Sequence, residues 1–167
     1  MKEIGKYAEQ WNVSSKYFYD NGYYTWMAKK LVDYDTVLEV GCGTGYSTLA
    51  LLEQGYKVIA VDKNQYCIRK AKELLDRSNV KDNQVIFIEG DITDERFRKA
   101  LLSSYKFDVI ICWSVGSYWN KDMIRYYLPY MLEYGLNVQQ IQANPESSYS
   151  ELIIWEVCRF AKTKNIP

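Results

Sequence analysis

The chain has 167 residues, with 21 Lys plus Arg against 21 Asp plus Glu, and no histidine. Its length suits one domain with a core of its own, its balanced charge supplies no field to hold a polyanion, and the lack of histidine excludes a His-centred triad or a zinc site. Cys42, Cys67, Cys112 and Cys158 form no C-x-x-C pair, and no stretch reads as a signal peptide or a membrane span, so reduced thiols and a cytoplasmic location are expected.

Residues 1–30 are crowded with rings: Tyr7, Trp11, Tyr17, Phe18, Tyr19, Tyr23, Tyr24 and Trp26. They read as a helical lead-in that packs on the core, with a turn at Asn21-Gly22, or as a lid over a ligand mouth. Both readings can hold for different rings. Residues 31–167 then form the main unit of a single domain.

From Thr36 the pattern alternates. Thr36 to Val40 reads as a strand and Tyr46 to Gln54 as a helix closed by Gly55, followed by a strand over Lys57 to Val61. Asn64 can cap a helix that carries Cys67, Ala71, Leu74 and Leu75 on one face. Gln84 to Ile88 is a third apolar strand, Thr93 can cap a helix to about Leu102, and Phe107 to Cys112 is a fourth strand. Apolar strands alternating with helices predict a doubly wound α/β domain, its sheet mainly parallel and covered on both faces. Further on, Asn120 can cap a helix through Met123, Ile124, Tyr127 and Leu128 that Pro129 is expected to break or kink. Leu136 to Gln142 is a candidate fifth strand. After a turn at Asn144-Pro145, Ser148 and Glu151 make a capping box for a helix over Tyr149 to about Lys162, although Leu-Ile-Ile-Trp-Glu-Val also suits a strand.

In an open parallel sheet a ligand sits beyond the carboxyl ends of the strands. Those ends are the turn Gly41-Cys42-Gly43-Thr44-Gly45, then Asp62, Asp91 and Cys112 to Ser117. The turn departs from G-x-G-x-x-G, because Tyr46 stands where the third glycine would be, and no P-loop occurs. It therefore suits a compact ligand without pyrophosphate, and Asp62 lies where a carboxylate can accept from two ribose hydroxyls.

Glu39-Val-Gly41-Cys-Gly43-Thr-Gly45, Val58-Ile-Ala-Val-Asp62, Glu89-Gly90-Asp91-Ile92 and Phe107-Asp108-Val109-Ile110 resemble, in order, four motifs of class I S-adenosylmethionine-dependent methyltransferases. The resemblance covers residues 30–118 and implies a Rossmann-like methyltransferase fold with S-adenosylmethionine as cofactor and S-adenosylhomocysteine as product. It implies that Gly41, Cys42, Gly43 and Gly45 face the methionine part, with Glu39 supporting the loop. It also implies that Asp62 binds the ribose, Lys63 or Asn64 lies against the adenine, Asp91 and the Ile92 backbone meet its edge, and Trp113 and Ser114 line the floor below the sulfonium.

The expected activity is methyl transfer to a small or medium-sized acceptor. Tyr19 and Tyr118, with Asp20 and Asp122, are weak candidates for a base, and no single catalytic residue is singled out. The Asn-Pro-Pro-Tyr type sequence of amino-directed nucleic-acid methyltransferases is missing from Trp113 to Trp119, which with the neutral charge disfavours nucleic acid. Trp113, Tyr118 and Trp119 can instead wall a small acceptor. A nicotinamide-dependent oxidoreductase fits Tyr46 and Asp91 poorly, whereas a partner-dependent cofactor-binding module stays open. The family usually ends in two more strands, which a helix over Tyr149 to Lys162 leaves out. That predicts an open sheet edge where a second copy or a partner chain could pair.

Overall fold

The computed structural model describes residues 3–80 and 82–167. Four parallel strands, β1 (Thr36–Val40), β2 (Lys57–Asp62), β3 (Val85–Glu89) and β4 (Val109–Cys112), form one sheet in the order β3-β2-β1-β4. Successive side chains point to opposite faces, and each face feeds its own core. Val37, Val58, Ala60, Val109 and Ile111 join one cluster, while Leu38, Val40, Ile59 and Val61 join the other. This is the doubly wound α/β arrangement, and burial of both faces explains why the strands read as nearly continuous apolar runs.

The helices are α1 (Glu3–Asp20), α2 (Tyr23–Ala28), α3 (Tyr46–Glu53), α4 (Gln65–Asp76), α5 (Glu95–Ser104), α6 (Met123–Glu133), α7 (Val138–Ala143) and α8 (Pro145–Lys164). Leu49, Leu51 and Leu52 of α3 cover the first face. Met131 of α6, Ile141 of α7, and Leu152, Ile153, Val157 and Phe160 of α8 cover the second. Strand order reverses between β1 and β4, so the two loops leaving those strands diverge and open a cleft there.

Several local expectations change. Leu136 to Gln142 is not a fifth strand: the Asn137 side chain accepts from Gln140 N–H while Gln140 reaches back to the Asn137 backbone, and this capping box starts α7. The helix that follows is longer than expected and begins at Pro145, capped by Asn144, which accepts from Ser147 N–H; Pro145 fits a first turn that has no use for its missing donor. Ser148 instead donates back to the Asn144 carbonyl. Asp94, not Thr93, caps α5, because Thr93 is engaged with Asp91. Pro129 does not end α6; it lies on the exposed side, where the carbonyl it cannot serve is open to water.

The β4 edge carries one further bond, from Ile110 N–H to the Pro167 carbonyl at 2.8 Å. Among the described residues no helix is long and apolar enough to cross a membrane.

Behind the second core lies a buried ion pair. Arg98 of α5 and Glu156 of α8 meet at 2.9 Å, their side chains 8% and 2% exposed. Arg98 also donates to the Ile92 carbonyl at 2.6 Å, and Tyr134 donates to Glu156 at 3.0 Å. Arg159, half exposed, also donates to Glu156 at 3.2 Å, so it is removal of Glu156 that strands a charge, leaving Arg98 buried with only the Ile92 carbonyl. Glu156→Ala should lower the unfolding free energy by about 3–5 kcal/mol, whereas the double change Arg98→Met with Glu156→Leu should recover a large part of the loss; urea denaturation of the three proteins measures both.

Candidate functional site

The cleft at the switch point has a volume of about 80 Å³, smaller than the usual small-molecule site. Its wall combines the glycine turn, the ends of β2 and β3, the loop after β4, Tyr7 and Trp11 of α1, and Tyr149 and Ile153 of α8.

The turn is built by β1 and β2 together. Gly41 and Cys42 N–H both bond the Val61 carbonyl, and Gly43 N–H donates to Asp62 Oδ2 at 2.9 Å. Gly43 has φ +53°, and a Cβ there would come within 2.8 Å of Trp11 Cδ1, so the indole rests on bare main chain. Gly45 serves packing: with φ +89°, a Cβ would lie 2.7 Å from Ala71 Cβ and 2.8 Å from its Cα, and this contact brings α4 against the start of α3. Cys42 is buried and outside the cleft wall; burial holds its thiol well above the usual range.

Glu39 lies below the turn. It is 1% exposed and accepts from Ser47 Oγ and, at 2.6 Å, from Thr48 Oγ1. It thereby braces the first turn of α3, where negative charge is favoured. Burial pushes its carboxyl up to about 7, against the lowering effect of the two hydroxyls.

Asp62 and Asp91 face the cleft with different capacities. Asp62 accepts Gly43 N–H on Oδ2 and Asn64 N–H on Oδ1 at 2.8 Å, so each oxygen keeps one lone pair, a match for two adjacent hydroxyls. Burial raises its pKa more than these bonds lower it. Asp91 accepts both Thr93 N–H and Thr93 Oγ1 on Oδ1, at 2.9 and 2.7 Å, and the Tyr127 hydroxyl on Oδ2. One acceptor position is left. An adenosine has the complementary set, two ribose hydroxyls and one amino group, so these residues fit an adenosyl ligand.

Lys63 reaches away from the β2 end toward α6 and α8, donating to the hydroxyls of Tyr149 and, at 3.4 Å, Tyr127. Its ammonium lies 4.1 Å from the Tyr149 ring centre, and burial draws its pKa down to about 8. Ile92 lines the cleft with its carbonyl held by Arg98. Ser114, with a left-handed φ of +53°, lines it too.

Other candidates sit elsewhere. Trp113 stacks on Tyr24 in the first core, 6.3 Å between ring centres. Tyr19 donates to Glu53 at 2.6 Å, Asp20 pairs with Lys16 on the surface and Asp122 is exposed; none of these lines the cleft. Tyr118 does, packed against Tyr7 at 5.1 Å. Of the early rings, Tyr7 and Trp11 roof the cleft, while Tyr17, Tyr23 and Trp26 are exposed. The Tyr7 hydroxyl bridges to Ser117, Asn64 Nδ2 donates to the Ile4 carbonyl at 3.1 Å, and Glu9 pairs with Lys70 at 2.9 Å. Tyr127 and Tyr149 escaped the sequence reading as site residues, since each looks like an apolar helix position and meets Asp91 and Lys63 only through the fold.

A family profile described as a methyltransferase domain matches residues 37–133, more than half the chain. The chain belongs to that family. Its cofactor is S-adenosylmethionine. The chain is 38% identical over 77 residues to a cypemycin N-terminal methyltransferase from a Streptomyces species, covering 46% of this chain and 29% of that protein. It is 29% identical over 85 residues to a ribosomal protein L11 methyltransferase from Lachnospira eligens, covering 50% and 27%. The chain thus spans less than a third of the length of these curated relatives. In fold it resembles a protein from Methanococcus maripaludis provisionally assigned as an S-adenosyl-L-methionine-dependent methyltransferase, with a TM-score of 0.56 at 16% identity over 87% of this chain and 75% of that one.

The raised pKa of Glu39 has a sign that can be tested. The folded state binds this proton more tightly than an unfolded glutamate with a pKa near 4.5. The group's contribution to stability is therefore complete below pH 4.5 and is lost as the pH rises through about 7. Urea unfolding between pH 4.5 and 8 should show a decline of about 3 kcal/mol from this residue, and Glu39→Gln should flatten it.

Proposed function

We propose that this chain transfers a methyl group from S-adenosylmethionine to a small or medium-sized acceptor and releases S-adenosylhomocysteine. The observation that carries this reading is the pair of carboxylates at neighbouring strand ends, Asp62 with two free acceptor positions and Asp91 with one. They face one cleft beside a glycine turn.

Bound there, the cofactor supplies a sulfonium-activated methyl group. The chain's part is to hold a nucleophile in line and to keep water out. Tyr7 and Trp11 roof the cleft, and the loop Ser114 to Tyr118 closes the side beyond β4. Burial pushes the Tyr7 phenol up to about 12, so it stays protonated and serves as a hydrogen-bonding wall. Asp62 and Asp91 have their remaining acceptor positions matched to the cofactor, so neither is left to serve as a base. This lining suits acceptors that attack without a strong base, such as an amine, a thiolate or a carboxylate. An amine also agrees with the N-terminal methylation in the name of the Streptomyces relative. The neutral net charge favours a small molecule or a peptide end over nucleic acid. A second reading, a cofactor-binding module that needs a partner for activity, draws support from the β4 edge, where a single bond to Pro167 is seen.

Calorimetry with S-adenosylhomocysteine and with NAD tests the cofactor site. Saturable binding of the first and none of the second is expected. Asp62→Ala should weaken it by about 10–100-fold, the loss of hydrogen bonds to a charged group. Asp62→Asn, which can still accept from Gly43 N–H, separates ligand loss from loop loss and should fall between. Binding of NAD alone, or of neither ligand, refutes the reading.

A further inference from the structure

The glycines of the turn are matched in two ways. A Cβ at Gly41 would meet Val115 Cγ1 at 2.6 Å, and one at Gly45 would meet Ala71 Cα at 2.8 Å; Val115 is packed on the second core and Ala71 is fully buried. Both are fixed parts of the fold. Gly43 differs. Its N–H is taken by Asp62 Oδ2, and its bare Cα faces the indole of Trp11, whose Nε1 and Cδ1 fill the place a side chain would take. Trp11 is a half-buried ring on α1, parallel to Tyr7 at 6.5 Å between centres. Tyr7 in turn is tied to Ser117 and packs on Tyr118. The cleft under these rings measures about 80 Å³, whereas a site that encloses a small-molecule ligand measures about 300–1,000 Å³. An adenosyl ligand with an amino-acid tail does not fit beneath the roof in this position.

We infer that Trp11 is an autoinhibitory plug: its indole occupies the surface of Gly43 that the methionine part of the cofactor takes, and it must leave before the cofactor enters. The inference rests on the proposed cofactor reading. A glycine serves a ligand by letting it approach the main chain closely, and one bare Cα cannot be covered by an indole and by a ligand at once. The chain therefore has two states, roof seated and roof lifted, and only the second takes the cofactor. Association is then slowed by the fraction of molecules that are lifted. The seated state is held by the Tyr7–Trp11 stack, by the Tyr7–Ser117 bond, by Asn64 Nδ2 on the Ile4 carbonyl at 3.1 Å, and by the Glu9–Lys70 pair at 2.9 Å. All of these act on the first half of α1. Its far end is fastened separately, since Ser15 is buried and Tyr19 donates to Glu53 of α3, so α1 stays docked while its first half releases the indole. A wall and a plug differ in sign. Removing a wall lets the ligand leave faster; removing a plug lets it arrive faster.

The test is the association and dissociation rate of S-adenosylhomocysteine on the immobilised full chain, measured by surface plasmon resonance. Trp11→Ala should raise the association rate by about 10-fold, as expected for a roof that is seated about nine-tenths of the time. Tyr7→Phe keeps the stacked ring but frees it from Ser117; it should raise the same rate by about three-fold with an unfolding midpoint close to wild type, and it carries the test should Trp11→Ala fail to fold. An association rate that is unchanged or lowered in the folded variants, with any effect confined to faster dissociation, makes Trp11 a wall and overturns the inference while the cofactor site stands. Failure of the wild type and both variants to bind overturns the cofactor reading and this inference with it.

Discussion

The cleft depends on one carboxylate. Asp62 ends β2, and its two oxygens take the backbone N–H groups of Gly43 and Asn64. One bond fixes the glycine turn that leaves β1, and the other fixes the entry to α4. Asn64 then caps α4 through Tyr66 N–H and holds the Ile4 carbonyl of α1. Strand, turn, helix and roof are thus referred to a single side chain that still faces the cleft. A carboxylate can do this because it accepts from about four directions; two are used inside the protein and two remain for a ligand. The same group is therefore structural and ligand-facing.

Two buried acids make this geometry stiff from behind. Glu39 ties the last part of β1 to the first turn of α3, so the turn between them is pinned at both ends. Glu156 reaches from α8 through Arg98 to the Ile92 carbonyl, so the loop after β3 is held by a helix more than sixty residues further along the chain. Buried charge is costly unless paired and hydrogen-bonded, and both acids have partners on neighbouring elements. The arrangement gives position and rigidity to backbone that would otherwise be loop.

The strands and the ends of the strands were legible in the sequence because they obey local rules. Apolar runs of four to six residues mark strands covered on both faces, and Asp62 and Asp91 stand at the ends of two of them. Where reading failed, two local signals competed. Leu136 to Gln142 looked like a strand by its apolar residues, yet the Asn137 and Gln140 caps decide for helix. Thr93 and Asp94 are both good caps, and only the fold shows that Thr93 is occupied by Asp91. Trp113 sits at a strand end as read, but a period of two turns its ring to the first core and leaves Ser114 on the cleft. Tyr127, Tyr149 and Glu156 carried no local signal at all, since their partners come from elements far away in sequence.

These long-range residues divide the labour of the site. The stretch that matches the methyltransferase family, residues 37–133, supplies the sheet, the glycine turn and both strand-end carboxylates. Outside it, α1 contributes Tyr7 and Trp11 to the roof, and α8 contributes Tyr149 and Ile153 to the wall. The two helices reach the loop after β4 from opposite sides: Tyr7 bonds Ser117, and Ser150 presses on Gly116, where a Cβ would meet Ser150 Cβ at 2.8 Å. That loop carries left-handed backbone at Gly116, which glycine takes freely, and at Ser114, where a side-chain-bearing residue adopts it at a cost that the surrounding structure must hold. The family part thus supplies the glycine turn and the strand-end carboxylates of the cleft, while α1, α8 and the loop between them shape the rest of its wall.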